Sequence, residues 1–143
     1  SPLVRARRTA ELVGFAGFGT DPDLQEWDYG GDEGLTTAQI RTRTPGWSLW
    51  RDGVTPGPHE TGETALDVAL RADRVIARIE PVLAAGDDVA LVSHGHFLRV
   101  LAARWLGLAP QAGAYFALDT ASVSMLGFEH GERVIRHWNE TPR

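Results

Sequence analysis

An α/β domain is the fold class this sequence predicts, and three observations predict it. Helical and extended patterns alternate along the chain. One extended run, 88–93 (DVALVS), is apolar through its centre and bounded by polar residues, and a helical pattern stands on either side of it. A short run of this kind suits a strand buried on both faces of a parallel sheet, and strands that alternate with helices build layered α/β architecture.

Taken in order, residues 4–13 (VRARRTAELV) read as a short helix, and the Gly/Phe-rich stretch 14–23 behind it suits no regular element. A short strand is expected over 24–26. Thr36 and Gln39 have the spacing of a capping box, which starts a helix reaching Arg43, and Pro45 and Gly46 end it. Residues 47–63 form a long loop rich in Pro and Gly, a length that points to a functional or mobile segment. Thr64 and Asp67 repeat the cap spacing ahead of a long helix. Val68, Val75, Ile79 and Val82 fall on one side of it, Asp67, Arg71, Asp73, Arg74 and Arg78 supply polar positions, and Pro81 is set to kink its end. After the 88–93 strand, Leu98, Leu101, Trp105 and Leu108 recur at helical spacing, with Gly107 placed to cap the C-terminus. Strands at 122–128 and 133–138 flank the turn EHGE and are expected to pair as a hairpin.

With 143 residues, 43% of them apolar, the chain can build one domain core and no second. A net charge of -5 argues against a nucleic-acid partner, because phosphate backbones are met by clustered cations. All 14 basic residues are arginine, so any phosphate contact is a guanidinium able to engage two oxygens at once. The absence of cysteine excludes disulfides, thiolate nucleophiles and Cys-ligated zinc, and fits a reducing, cytoplasmic setting. No run of 18 apolar residues is present, so no membrane is expected as a partner.

In α/β sheets, ligands gather where a strand ends and the next helix presents free amides. His94 stands at that junction after 88–93. An imidazole there can donate a hydrogen bond to a phosphate oxygen, and an anion favours its charged form; the same position also suits a histidine that only caps the helix. His94 and His96 make a His-x-His pair, too small a ligand set without carboxylates or cysteines beside it, and no metal is expected. Glu26 precedes Trp27, where desolvation would make a carboxyl a general acid near neutral pH; an exposed strand-end glutamate fits equally well. Arg7 and Arg8 read as solvated, and His130 and His137 as surface or turn residues. Trp27, Tyr29, Trp47, Trp50 and His59 fit the walls of an apolar entrance, although tryptophans in a small domain also fit the core.

Four stretches together resemble the histidine phosphatase superfamily. "SPLVRARRTAEL" is similar to its Ser-Pro-Leu-x-Arg-Ala segment, "LQEWDYGGDEGLT" to its Glu-x-x-x-Gly-x-x-Glu-Gly segment, "TGET" to its Gly-Glu-Ser/Thr loop, and "LVSHGHFLRVL" to its second histidine motif. Within the family, "EWDYG", "EGLTT", "VSHGHF" and "FEHG" look most like actinobacterial broad-specificity acid phosphatases.

The resemblance implies a phosphoglycerate mutase-like fold, with a mostly parallel central sheet flanked by helices on both faces. It also implies hydrolysis of a small phosphate ester without a cofactor. Arg5, His94 and Gly95 would hold the phosphoryl group, Glu26 would give the leaving group its proton, and His94 would steady the group in transfer. The family's nucleophile is a histidine in an Arg-His-Gly motif on the first strand, and this sequence has no Arg-His-Gly. Residues 1–143 are therefore expected to be one domain lacking the family's N-terminal strand-helix-strand. A mutase, or an inactive phosphate-binding module, are the alternatives. Exposed sheet edges would also offer a route to a homodimer.

Overall fold

The computed structural model describes residues 1–141. In chain order it contains helices α1 (Val4–Leu12), α2 (Thr37–Arg43), α3 (Leu49–Asp52), α4 (Ala65–Ala84) and α5 (Gly95–Trp105), then strands β1 (Val123–Glu129) and β2 (Glu132–Glu140), with short 3-10 segments between them.

Local chemistry sets most of these boundaries. At α2 the Thr36 hydroxyl accepts the Gln39 amide while the Gln39 side chain accepts the Thr36 amide, closing the expected capping box. Thr64 and Asp67 do the same at α4. The end of α5 is a Schellman turn: Gly107, at φ +73°, donates to Arg104 O and Leu108 to Ala103 O.

The core lies where α4 crosses α5. Val68, Ala72 and Val75 of α4 meet Phe97, Val100 and Leu101 of α5, and Trp27 and Leu24 close the cluster from the preceding segment. Trp27 and Phe97 are the largest fully buried side chains, and burial of each contributes roughly 2–3 kcal/mol. The buried stripe of α4 is centred on Ala72, so Val82 falls at its edge and is 40% exposed, contrary to the sequence expectation. The helix continues through Pro81 to Ala84.

Two expectations are corrected, and a third is not met among the described residues. Residues 24–26 form no strand: Asp21 starts a 3-10 turn over Pro22–Leu24 by accepting the Asp23 amide at 2.9 Å, with Pro22 fixing the first φ. The hairpin turn is tighter than EHGE. Glu129 faces Glu132 across His130 and Gly131, whose φ of +51° and +86° match the twist of the flanking strands. Finally, no parallel sheet forms among the described residues, where the β1/β2 hairpin is the one sheet. Segment 88–93 belongs to no helix, but a strand needs a ladder partner and none of the described residues lies along it as one. Val92 instead borders a depression of about 210 Å³ against Ala6, Ala10, Phe15, Phe18 and Leu24. No helix among the described residues is long and apolar enough to cross a membrane.

Because α4 supplies four of the ten buried residues of the core cluster, its cap governs more than one turn. Thr64→Ala should lower the free energy of unfolding by about 1 kcal/mol. Urea denaturation would show this as an earlier midpoint with an unchanged slope, and a midpoint that stayed put would refute it.

Candidate active site

The first amides of an α-helix have no partner within the helix. At α5, Leu98 is the first to bond backward, to His94 O at 2.9 Å. The amides of His96 and Phe97 turn to Glu26, reaching Oε2 at 3.2 Å and Oε1 at 2.9 Å, and the Trp27 amide closes on Oε1 at 2.9 Å. Glu26 is thus half-buried and bonded to three amides, not the exposed strand-end residue that the sequence also allowed. Trp27 sinks into the core at 1% exposure and carries its neighbour to the start of α5.

His94 is the residue from which α5 springs, and it is buried. Arg5, in the first turn of α1, donates Nε to His94 Nδ1 at 3.1 Å, and His94 Nε2 lies 2.8 Å from Ser1 Oγ. A guanidinium cannot accept, so Nδ1 carries the lone pair and Nε2 the proton. Burial first, and then the charge of Arg5, hold this imidazole below its ordinary value. His94 is therefore neutral and donates through Nε2. Gly95 follows, and its amide donates to no group among the described residues. A Cβ at Gly95 would meet nothing nearer than Glu26 Oε2 at 4.0 Å, so the space beside its α-carbon is open.

The structure brings Arg5, Glu26, His94 and Gly95 together. Arg7 and Arg8 remain exposed, and Arg8 pairs with Glu11 on its own helix. His94 and His96 are turned to different partners, because His96 Nδ1 lies 2.6 Å from the Tyr29 hydroxyl. Burial is the main cause that lowers the His96 imidazole from its ordinary value and raises the Tyr29 phenol, and the nearby Glu26 charge raises the phenol further. Among the described residues no three His, Asp or Glu side chains gather as metal ligands.

Tyr29 and His96 also line a cleft of about 410 Å³, together with Ile40, Arg41, Trp47 and Trp50. Its floor is fixed by close backbone approach. Gly30, at φ +55°, passes so near the following loop that a Cβ would stand 2.6 Å from Thr61 O, and buried Asp32 accepts the Thr55 amide at 2.7 Å. Trp27 and Trp105 are core residues, whereas Trp47 and Trp50 line the cleft; His59 is exposed and does not line it. Sequence reasoning took His96 only as half of a metal pair, and its bond to Tyr29 had no local signal.

A family model described as "Histidine phosphatase superfamily (branch 1)" matches residues 1–141. The chain is 42% identical over 133 residues to an acid phosphatase of Mycobacterium tuberculosis (strain ATCC 25618 / H37Rv), covering 93% of this chain and 63% of that protein. It is 35% identical to sedoheptulose 1,7-bisphosphatase of Saccharomyces cerevisiae (strain ATCC 204508 / S288c), over 78% of this chain and 48% of the relative. The chain therefore spans less than two thirds of either relative's length. The solved structure of an open reading frame from Mycobacterium tuberculosis superposes with a TM-score of 0.90 at 40% identity, covering 98% of this chain and 69% of that one.

Two imidazoles held neutral by burial give the fold a pH signature. Their folded pKa values lie below the unfolded value of about 6.5, so the unfolded chain binds more protons as pH falls through that value. Stability should be full above neutrality and decline toward pH 5.5. In the double variant His94→Asn, His96→Asn, urea midpoints between pH 7.5 and 5.5 should lose most of that slope. An unchanged slope would mean the two imidazoles are not its source.

Proposed function

Because the chain belongs to the histidine phosphatase superfamily, we propose that it forms the acid-donating and phosphate-holding part of a phosphomonoester hydrolase that works through a phosphohistidine. The observation that carries this reading is the convergence of Arg5, His94 and Glu26 at the amide of Gly95. A guanidinium, an imidazole N–H and a helix N-terminus all attract the same anion, and a carboxyl stands beside them.

In the first step an imidazole nitrogen attacks phosphorus, the ester P–O bond breaks, and Glu26 gives its proton to the departing alcohol. In the second, water attacks phosphorus, its proton passes to Glu26, the P–N bond breaks and inorganic phosphate leaves. The carboxyl ends as it began. Arg5 and His94 stabilise the charge that builds on the phosphoryl oxygens, where preorganised donors are worth most.

We assign the attacking imidazole to a segment outside residues 1–141. The two histidines at the start of α5 are committed, His94 to Arg5 and Ser1 and His96 to Tyr29. We place a parallel strand of that segment beside 88–93, a position supported by the apolar run there and by the depression along α1 that Val92 borders. The names of the two relatives above, both phosphatases, support hydrolysis. So does the loop after α2: Arg51 spends its charge on Asp52 and Gly46 O, leaving no basic lid to retain a bisphosphate as a mutase requires.

In the intact protein, Glu26→Gln should lower kcat/KM for an alkyl phosphate on the order of 10²- to 10⁴-fold. His94→Ala should lower turnover of every phosphate ester by about 10²- to 10³-fold. Steady-state assays of both variants with glycerol phosphate and p-nitrophenyl phosphate test this, and wild-type rates in either variant would overturn the assigned roles.

A further inference from the structure

Eight residues after Glu63, and one helix away from the candidate site, Arg71 uses its whole guanidinium. Nε donates to Glu63 Oε1 at 2.7 Å and Nη2 to Glu63 Oε2 at 2.7 Å. Nη1 donates to the carbonyls of Asp23 at 2.7 Å and Gln25 at 3.0 Å, and Nη2 reaches the carbonyl of Glu26 at 3.4 Å. A guanidinium has five N–H donors, and these contacts occupy all five. The cation also lies over the Phe97 ring, 5.0 Å from its centroid, and Phe97 is the residue whose amide holds Glu26 Oε1. Arg71 therefore touches the Glu26 main chain on one side and a partner of the Glu26 carboxylate on the other.

Glu63 completes the grip. Its Oε2 accepts the Asp28 amide at 3.0 Å, its carbonyl accepts Trp27 Nε1 at 2.8 Å, and its amide donates to Asp28 O at 2.9 Å. The side chains of the pair are 12% and 22% exposed. A shielded ion pair of this kind pays a desolvation penalty that an apolar pair of the same volume avoids, so it is poorly explained as a device for stability alone. What it does uniquely is fix the three carbonyls of 23, 25 and 26 and the peptide of 27–28 on either side of one side chain.

We infer that Arg71 and Glu63 are positioning residues for the Glu26 carboxyl, holding it at the distance and angle from which it can protonate a leaving alcohol. The inference rests on the reading of Glu26 as proton donor and adds to it the part of the fold that aims the donor. Lysine cannot replace Arg71, because a single ammonium lacks the planar fork that reaches a carboxylate and three carbonyls together.

The experiment is a leaving-group comparison in the intact protein. p-Nitrophenolate departs without a proton, whereas an alkoxide does not, so the ratio of kcat/KM for glycerol phosphate to that for p-nitrophenyl phosphate reports the aim of the acid. This ratio does not depend on the fraction of a variant that folds. Arg71→Lys and Glu63→Gln should each lower it on the order of 10- to 100-fold, the scale of a misplaced catalytic group. In a Glu26→Gln background Arg71→Lys should lower it no further. If both substrates lose activity alike in Arg71→Lys and Glu63→Gln while Glu26→Gln lowers the ratio, the pair is only structural and this inference fails alone. Should Glu26→Gln leave the ratio unchanged, the proton-donor reading fails and takes this one with it.

Discussion

The amino terminus of α5 is the constraint around which the rest of the molecule is arranged. A helix that begins inside a folded domain must find acceptors for its first amides or leave buried donors unsatisfied. Here the acceptor is a carboxylate brought from Glu26, across most of the chain length that separates it from His96 and Phe97. Once that carboxylate is in place, Trp27 must enter the core and Tyr29 must come alongside His96. The cleft wall and the core are thus two results of one capping contact.

Charge around this point is organised in layers. Outermost, Arg74 and Arg78 reach Asp23 and Asp21, and the hydrogen bond from Arg74, aided by Arg78, holds the Asp23 carboxyl down to about 2. Such exposed pairs add little individually. Deeper, Arg71 and Glu63 bind backbone as well as each other, which converts an ion pair into a frame. At the centre, Arg5 and His94 meet as a cation beside a neutral imidazole, an arrangement that presents donors without placing two like charges in contact.

Much of this was legible in the sequence where the cause is local. Thr36 with Gln39, Thr64 with Asp67, and Gly107 each declare a helix end through contacts within a few residues, and each end lies where its chemistry puts it. Arg5, Glu26, His94 and Gly95 could be named from motif pattern, but their meeting at one amide could not, because it depends on contacts between distant segments. The 3-10 turn at Pro22–Leu24 replaced a strand because a cap and a proline outweighed a weak extended preference. Segment 88–93 reads as a strand, yet pairing is a property of two segments and no single run can specify it. Arg71 did carry a signal: it falls beside Val68, Ala72 and Val75 on the buried side of α4, and a charge at such a position requires partners.

The origin of the site in separate elements has a consequence for its dynamics. Arg5 comes from α1, Glu26 from an irregular segment, Glu63 from the entry to α4, Arg71 from its interior and His94 from the start of α5. The contacts joining them span most of the chain, with sequence separations of 89 from Arg5 to His94 and 70 from Glu26 to His96. Loosening any one element breaks a contact to another, so the anion-facing groups share the fate of the core and not of the surface. The loop after α2 differs only in part: Arg51 and Trp47 bond within it, but Leu49 is buried in the core cluster and the Trp50 ring meets Trp27 edge-on. The cleft that Trp47 and Trp50 line is thus tied to the same core that fixes Glu26 and His94, and a change in that core reaches both.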